Sequence, residues 1–275
     1  MTPERSGEGS GGGAGQDGAT TYSSYLRLAG LLEQQQPQSA EHDELLFIVI
    51  HQVYELWFKQ CLHELRYLNA MFAAGETPRV LATLKRVLTI LKTLVAQVDI
   101  LETMTPLSFS AFRPRLQSSS GFQSFQFRAV EFMLGHKRRS VLEVYPPASR
   151  ERAELEKLLA EPSVYDRFLR YLAACGVAVP PAALGRSPAE PAAADAGVQQ
   201  VLLGVYTAMP LQAQVCERLL DLDEGLQEWR YRHVKMVQRT IGDKAGTGGS
   251  AGAAYLRETL FRPIFPDLWE IRAKM

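Results

Sequence analysis

Two histidines stand on the apolar faces of predicted helices, where an ionisable, metal-binding ring is unusual. His51 lies in the run FIVIHQVYELWFKQ, four residues after Phe47, and therefore shares a helix face with that aromatic ring. His233 lies in WRYRHVKMVQR, four residues after Trp229. Each pattern is also typical of a hydrogen-bonded core histidine, so the spacing alone leaves both interpretations open.

The remaining histidines, His42, His63 and His136, carry no feature that distinguishes them from capping, surface or structural residues. No HExxH, CxxC or histidine–carboxylate cluster occurs at metal-ligand spacing, whereas a protein zinc site needs three or four side-chain ligands. Haem demands less of the protein, because the porphyrin supplies four nitrogens and one axial histidine suffices. Isolated histidines on helix faces are therefore compatible with haem and poorly compatible with zinc.

Two segments between predicted helices carry residues suited to an anionic ligand. Arg113 lies in SFSAFRPRLQSSSGFQSFQFR, and a buried guanidinium there requires either a ligand carboxylate or a core Asp or Glu as its partner. The stretch AGTGGSAG, residues 245–252, lacks the GxxxxGK[ST] order of a phosphate loop. It is interpreted either as a flexible connector or as a glycine-hinged lid that brings Thr247 over a ligand.

The composition excludes several classes of protein. With 30 basic and 30 acidic residues among 275, the chain has no basic field for a nucleic-acid partner. Its apolar runs are shorter than the roughly 18–20 residues of a membrane span. The three cysteines are widely separated and odd in number, which favours a reducing compartment, the cytoplasm, over a disulfide framework.

The hydrophobic periodicity predicts an all-α fold, a bundle of helices, without sustained strand alternation. Residues 1–19 are predicted to be a disordered Gly-rich tail, and 20–275 a single domain with a Pro/Ala-rich surface excursion at 176–197. A short amphipathic segment precedes Pro37 and a short helix lies near the C-terminus. Long helices are predicted at 41–74, 78–104, 121–135, 149–175 with a break near Pro162, and 198–241 with a break at Pro210, and a loop at 105–121.

Several long stretches resemble the tryptophan 2,3-dioxygenase family, and they follow the family's order from about residue 20 to the C-terminus. They are TYSSYLRL, HDELLFIVIHQVYELWFKQ, TPLSFSAFR, SSGFQSFQFR, WRYRHVKMV, GTGGSAG and FPDLW. The Gly-rich tail and the Pro/Ala-rich excursion fall outside the resemblance. The resemblance implies an all-helical homotetramer with one haem b, ferrous in its active form, in each subunit.

Residue roles are implied by motif match alone. His233 is implied as the axial ligand of the haem iron, and His51 as the distal residue that faces the indole N–H. Contacts to the substrate are implied for Phe47, Arg113 and Thr247, and, from a neighbouring subunit, for Tyr22, Tyr25 and Leu26. Contacts that shape the distal cofactor pocket are implied for Phe109, Leu116, Ser120 and Gly121.

The reaction implied by the resemblance inserts both atoms of O2 across the indole C2–C3 bond of L-tryptophan and gives N-formylkynurenine, the first step of the kynurenine pathway. Two alternatives share the same pocket residues. One is a related haem enzyme of specialised metabolism that monooxygenates a modified tryptophan, such as a β-methyl derivative. The other is a non-catalytic sensor of haem or indole.

Overall fold

The regular structure of the described residues consists of helices. The computed structural model describes residues 20–242, 244 and 260–275, and within these ranges no β-strand occurs, which confirms the predicted all-α class. None of the helices in these ranges has the length and apolar character needed to cross a bilayer. In chain order the helices are α1 (Tyr22–Leu26), α2 (Leu28–Leu32), α3 (His42–Ala74), α4 (Thr77–Leu101), α5 (Pro106–Phe112), α6 (Phe125–Leu134), α7 (Arg150–Ala160), α8 (Val164–Ala174), α9 (Pro181–Leu184), α10 (Ala196–Ala208), α11 (Pro210–Ile241) and α12 (Pro266–Glu270). Short 3-10 helices cover Arg113–Leu116, Gly121–Gln123, Arg139–Val144 and Ile271–Lys274.

The described residues up to Gln36 belong to a compact unit of their own, which carries α1 and α2. Thr21 caps α1, because its side-chain oxygen accepts a hydrogen bond from the Ser24 amide at 3.2 Å. Arg27 then adopts a left-handed conformation with φ 52°, which ends α1 and precedes α2. The amphipathic segment predicted before Pro37 is therefore a pair of short helices divided at Arg27.

The second unit, from Pro37 onward, is built around three long helices, and α4 packs against both α3 and α11. α3 runs for 33 residues because apolar residues recur at three- and four-residue steps and no proline interrupts them. Asp43 and Glu44 in its first turn complement the helix dipole, and Gly75 ends it at φ 71°. These local signals fix the extent of the helix that carries His51.

Gly225 allows α11 to approach α4 closely. A β-carbon at this position would meet Leu88 Cδ1 at 3.3 Å and Leu91 Cδ1 at 3.6 Å. The hydrogen side chain of Gly225 therefore sets the separation of these two helices. α11 begins at Pro210, which suits a first helical turn, and the stretch predicted at 198–241 divides there into α10 and α11 as expected.

The segment 105–121, predicted as a loop, contains a helix and a 3-10 turn, so the prediction was wrong in this part. Thr105 accepts a hydrogen bond from the Ser108 amide at 3.1 Å, and Pro106 occupies the first helical position. α5 begins at this cap, and the 3-10 helix Arg113–Leu116 follows it directly.

Serine caps set the starts of two further helices. α6 begins after Ser124, later than the start predicted near Gly121, because the Ser124 hydroxyl supplies the N-cap. The helix predicted at 149–175 divides near Pro162 as expected, since Ser163 forms a capping box at the start of α8.

Two apolar clusters form the interior of the second unit. The larger cluster combines residues of α3, α4, α6, α8, α10 and α11, and includes Phe58, Phe127 and Trp229. The smaller cluster joins the N-terminal half of α3 to α5 and the end of α4, through Ile50, Leu101, Met104, Phe109 and Phe112.

The Pro/Ala-rich segment 176–197 is partly built into the structure. Val179 within it is buried in the larger cluster. At its far end the Asp195 amide donates a hydrogen bond to Asp267 Oδ1 at 2.7 Å, while Tyr165 donates its hydroxyl to Asp267 Oδ2 at 2.6 Å. The carboxylate of Asp267 therefore joins this segment, α8 and the C-terminal helix α12.

Candidate active site

A cavity of about 530 Å³ lies where the two apolar clusters meet. Its wall draws on α3, α4, α5, α6 and α11, together with residues between positions 113 and 124. Pockets for small molecules and cofactors occupy roughly 300–1,000 Å³ and are mostly apolar with a few polar groups. The size and the largely apolar, aromatic wall of this cavity are those of a ligand-binding site.

One face of α3 contributes Phe47, His51 and Glu55 to the cavity wall at four-residue spacing. His51 Nδ1 lies 2.7 Å from the Phe47 carbonyl oxygen, and the two rings are 4.1 Å apart between centroids. A carbonyl oxygen only accepts hydrogen bonds, so Nδ1 carries the proton and donates it. In the neutral ring Nε2 is therefore left as an acceptor.

Burial keeps both cavity histidines neutral. It lowers the pKa of His51 below the usual value, although the Phe47 carbonyl and the Glu55 carboxylate offset part of this effect. Burial, with smaller contributions from His51 and Arg128, also lowers the pKa of His233 to about 4. Both rings are uncharged at pH 7, the form in which an imidazole nitrogen accepts a hydrogen bond or binds a metal.

α11 brings His233 to the same cavity. The Trp229 ring, one turn earlier, stacks on the His233 ring with centroids 5.3 Å apart and planes inclined by 3°. Trp229 packs in turn against Phe127 at 4.7 Å and Phe58 at 6.1 Å, so the larger apolar cluster fixes the orientation of the histidine. Packing of separate helices thus brings both predicted histidines to one cavity.

The chain from α5 to α6 supplies one side of the wall. Arg113 is the C-cap of α5, and the ring of Phe109 lies 5.9 Å from that of Phe47. Ser120 caps the 3-10 helix that follows it. All five residues that the resemblance assigns to this side line the cavity: Phe109, Arg113, Leu116, Ser120 and Gly121. Their roles toward a ligand stay predictions.

The described cavity wall does not include four of the predicted site residues. Tyr22, Tyr25 and Leu26 belong to α1 in the first unit, where their spacing places them on one helix face. Thr247 lies outside the described residues.

The cavity wall also contains a buried ionic cluster that the sequence patterns above did not predict. Three guanidinium groups surround the carboxylate of Glu131, those of Arg128 at 2.5 Å, Arg138 at 2.8 Å and Arg230 at 2.9 Å. Although burial acts to raise the pKa of Glu131, these charges hold it well below its usual range. Arg230 also donates to His136 Nε2 at 3.1 Å, and burial lowers the pKa of His136 to about 3. The Arg–Glu pair three residues apart in FQFRAVEF was the available signal.

The donor groups limit the kind of metal that the site could hold. Within the ranges that the structure describes, no group of three or more His, Cys, Asp or Glu side chains is arranged to hold a metal ion. A metal that takes all its ligands from protein side chains is therefore a poor fit to this cavity. A planar cofactor that brings four nitrogens of its own needs one axial ligand, and neutral His233 beside an apolar cavity meets that requirement.

The fold and the cavity define an all-helical protein with a cofactor-sized pocket lined by two neutral imidazoles. The family model described as tryptophan 2,3-dioxygenase matches residues 8–161 and 192–275. The chain belongs to the tryptophan 2,3-dioxygenase family, as the resemblance predicted, and is an enzyme of that family.

Individual relatives match over nearly the whole chain. A tryptophan 2,3-dioxygenase of Anaeromyxobacter sp. (strain K) is 60% identical over 262 residues, which cover 94% of this chain and 97% of the relative. One of Herpetosiphon aurantiacus is 57% identical, with 94% and 99% covered. One of Bordetella parapertussis is 43% identical, with 93% and 91% covered.

Proposed function

We propose that this protein uses haem b to oxygenate L-tryptophan, inserting both atoms of O2 across the indole C2–C3 bond to give N-formylkynurenine. The observation that carries this function is the pair of neutral imidazoles, His51 and His233, on one apolar cavity whose wall includes Arg113. Relatives named tryptophan 2,3-dioxygenase at 57% and 60% identity support the same substrate. The reaction belongs to tryptophan catabolism and opens the kynurenine pathway.

His233 would hold the cofactor by binding its iron. Burial keeps the imidazole neutral, and the stacked Trp229 ring fixes its plane, so the nitrogen is ready to bind metal. Haem in the ferrous form would supply the activation of O2 that no side chain can provide. The wall residues Phe109, Leu116, Ser120 and Gly121 would contact the cofactor and keep water away from it.

The indole ring would lie against Phe47, and its N–H would donate to Nε2 of His51. The hydrogen bond from Nδ1 to the Phe47 carbonyl keeps Nε2 unprotonated, so His51 orients the indole as an acceptor. Arg113 would pair with the substrate carboxylate through its planar fork. Thr247 is proposed to reach the same amino-acid end of the substrate.

We also propose a homotetramer in which Tyr22, Tyr25 and Leu26 of one subunit complete the site of a neighbour. These residues share one face of α1, which suits contact with an apolar surface. Light scattering would give the mass of the assembly. Deleting residues 20–27 is expected to weaken tryptophan binding while haem stays bound.

A cytoplasmic location is proposed on the state of the cysteines. Cys61, Cys175 and Cys216 are free, and two of them are buried. Burial raises the pKa of Cys61 to about 12 and that of Cys216 to about 12, which keeps both thiols protonated. Free thiols are typical of proteins in a reducing compartment.

The function is tested with reduced, haem-loaded protein, L-tryptophan and isotopically labelled O2. N-formylkynurenine with two labelled oxygen atoms is the expected product. A product with one labelled atom would indicate that the protein is the related monooxygenase and not a dioxygenase. Tryptophan-induced spectral changes without any product would indicate a sensor.

A further inference from the structure

Glu55 lines the cavity one turn after His51 on α3, and the proposed chemistry gives it no task. Its carboxylate contacts the start of α6. Ser124 donates its hydroxyl to Glu55 Oε1 at 2.5 Å, and Gln126 donates its side-chain amide to Oε2 at 3.0 Å. The same amide donates to the Glu55 backbone carbonyl at 2.7 Å. Three hydrogen bonds therefore join the helix that carries His51 to the residues just before and within α6.

Ser124 uses its hydroxyl twice. The oxygen accepts a hydrogen bond from the Phe127 amide at 3.2 Å, which caps α6, while the hydroxyl proton goes to Glu55. A hydroxyl that donates to a carboxylate forms a charge-assisted bond, which is stronger than a bond between neutral groups. Ser124 ends the wall segment, defined as residues 117–124, and this charge-assisted hydrogen bond holds that end against α3.

The other end of the wall segment is strained. Gln117 adopts φ 49° and ψ −118°, a conformation that side chains with a β-carbon rarely take. Such a conformation persists only where surrounding contacts hold it. Ser119, Ser120 and Gly121, between the strained residue and Ser124, all line the cavity. The position of this side of the pocket therefore depends on the anchor at Ser124.

We propose that Glu55 is a positioning residue, which holds the wall segment against α3 so that the substrate fits between the segment and His51. This role rests on the proposed function, because the substrate concerned is L-tryptophan. Glu55 acts through Ser124 and the wall segment, and its removal affects substrate binding more than cofactor binding, since the axial histidine lies on α11.

Four single variants of the full chain test this role: Glu55→Ala, Glu55→Gln, Ser124→Ala and, as a control, Glu64→Gln. Glu64 is a matched carboxylate on α3, buried and held by Gln60 at 2.8 Å and Arg86 at 3.0 Å, but it lies outside the cavity wall. Amide hydrogen exchange of residues 117–124 is measured without cofactor or substrate. Haem content, KM for L-tryptophan and kcat are measured on the loaded protein.

Glu55→Ala and Ser124→Ala are expected to speed exchange across the wall segment and to raise KM roughly tenfold, the effect of losing one hydrogen bond to a charged group. Haem content and kcat stay close to those of the unaltered protein. Glu55→Gln keeps an oxygen that accepts from Ser124 and gives a smaller change. In the double variant Glu55→Ala/Ser124→Ala the two effects are expected to be less than additive, because both single variants remove the contact between Ser124 and Glu55.

Wild-type exchange rates in Glu55→Ala would overturn this role. So would faster exchange with an unchanged KM, or equal effects in Glu64→Gln. If the proposed function is wrong, the unaltered protein does not oxygenate tryptophan, and this outcome differs from the variant effects described above. The exchange measurement needs neither haem nor substrate and remains decisive in that case.

Discussion

His51 illustrates how a backbone contact decides the chemistry of a side chain. The hydrogen bond from Nδ1 to the Phe47 carbonyl leaves Nε2 as an acceptor, and burial keeps the ring uncharged. A charged imidazolium at this place could not accept a hydrogen bond from an indole N–H, because both of its nitrogens are donors. In the proposed reaction, His51 would therefore orient the indole without having to exchange a proton with it.

His233→Ala is expected to abolish stable haem binding, because it removes the one neutral imidazole proposed as axial ligand. The haem-to-protein ratio after desalting, read from the absorption spectrum, measures this loss. His51→Ala serves as the control and is expected to keep its haem. A His233→Ala protein with normal haem content and spectrum would refute the assignment.

Arg113→Ala is expected to weaken tryptophan binding by roughly 2–5 kcal/mol, the usual cost of losing a buried charged partner, or about 30- to several-thousand-fold. Arg113→Lys keeps the charge but loses the planar fork, so an intermediate loss is expected. KM and spectral titration with L-tryptophan measure both effects, while haem stays bound.

Arg115→Ala is the matched control for Arg113. Arg115 belongs to the same 3-10 helix but is exposed and lies outside the cavity wall. Its removal changes the charge of the segment by the same amount and is expected to leave KM unaltered. Equal losses of tryptophan binding in the two variants would mean that the effect is general electrostatics. The substrate carboxylate would then be bound by another residue.

At the scale of elements, a feature can be predicted from the sequence when the residues that determine it lie close together in the chain. α3 was predicted at 41–74 and observed at His42–Ala74, because its periodicity and the glycine that ends it are local. α5 was missed because seven residues are too few for periodicity, although Thr105 and Pro106 marked its start. The ionic cluster at Glu131 could not be predicted as a whole, because its arginines come from separate elements.

The wall segment offers a test of stored strain. Gln117→Gly is expected to raise the free energy of unfolding by about 1 kcal/mol. The strain of the positive φ is relieved, and this gain outweighs the chain entropy that glycine adds to the unfolded state. Ser118→Gly is the control, since its φ is not positive and only the entropic cost remains. Urea unfolding of both variants measures the difference. Destabilisation of equal size in both would show that Gln117 is unstrained.

At the scale of the whole molecule, the chain has no formal net charge, yet acid is expected to lower the stability of its fold. Basic and acidic residues number 30 each, yet the buried His136 sits beside Arg230 and its pKa falls to about 3. The unfolded chain, in which His136 has its ordinary pKa of 6.5, binds a proton at a pH where the folded protein does not. The free energy of unfolding therefore decreases as pH falls through this interval.

His136→Gln is expected to reduce this acid sensitivity, because an amide oxygen can accept the Arg230 hydrogen bond and does not titrate. Between pH 6.5 and 5 the slope of unfolding free energy against pH is expected to fall by up to about 1.4 kcal/mol per pH unit, the contribution of one proton. Denaturant unfolding of both proteins at several pH values measures the slopes. Parallel curves would contradict a neutral buried His136.

Gly225 has a consequence for ligand selectivity. α4 and α11 both face the pocket, through Val98 and His233 respectively, and the glycine hydrogen sets how near they lie. A methyl group there would press on Leu88 and Leu91, so that these side chains or the helices that carry them must shift by a few tenths of an ångström. Under the proposed function, the size limit on ring-substituted indoles can therefore be altered about two turns away from His233, with every residue that would contact the substrate left in place.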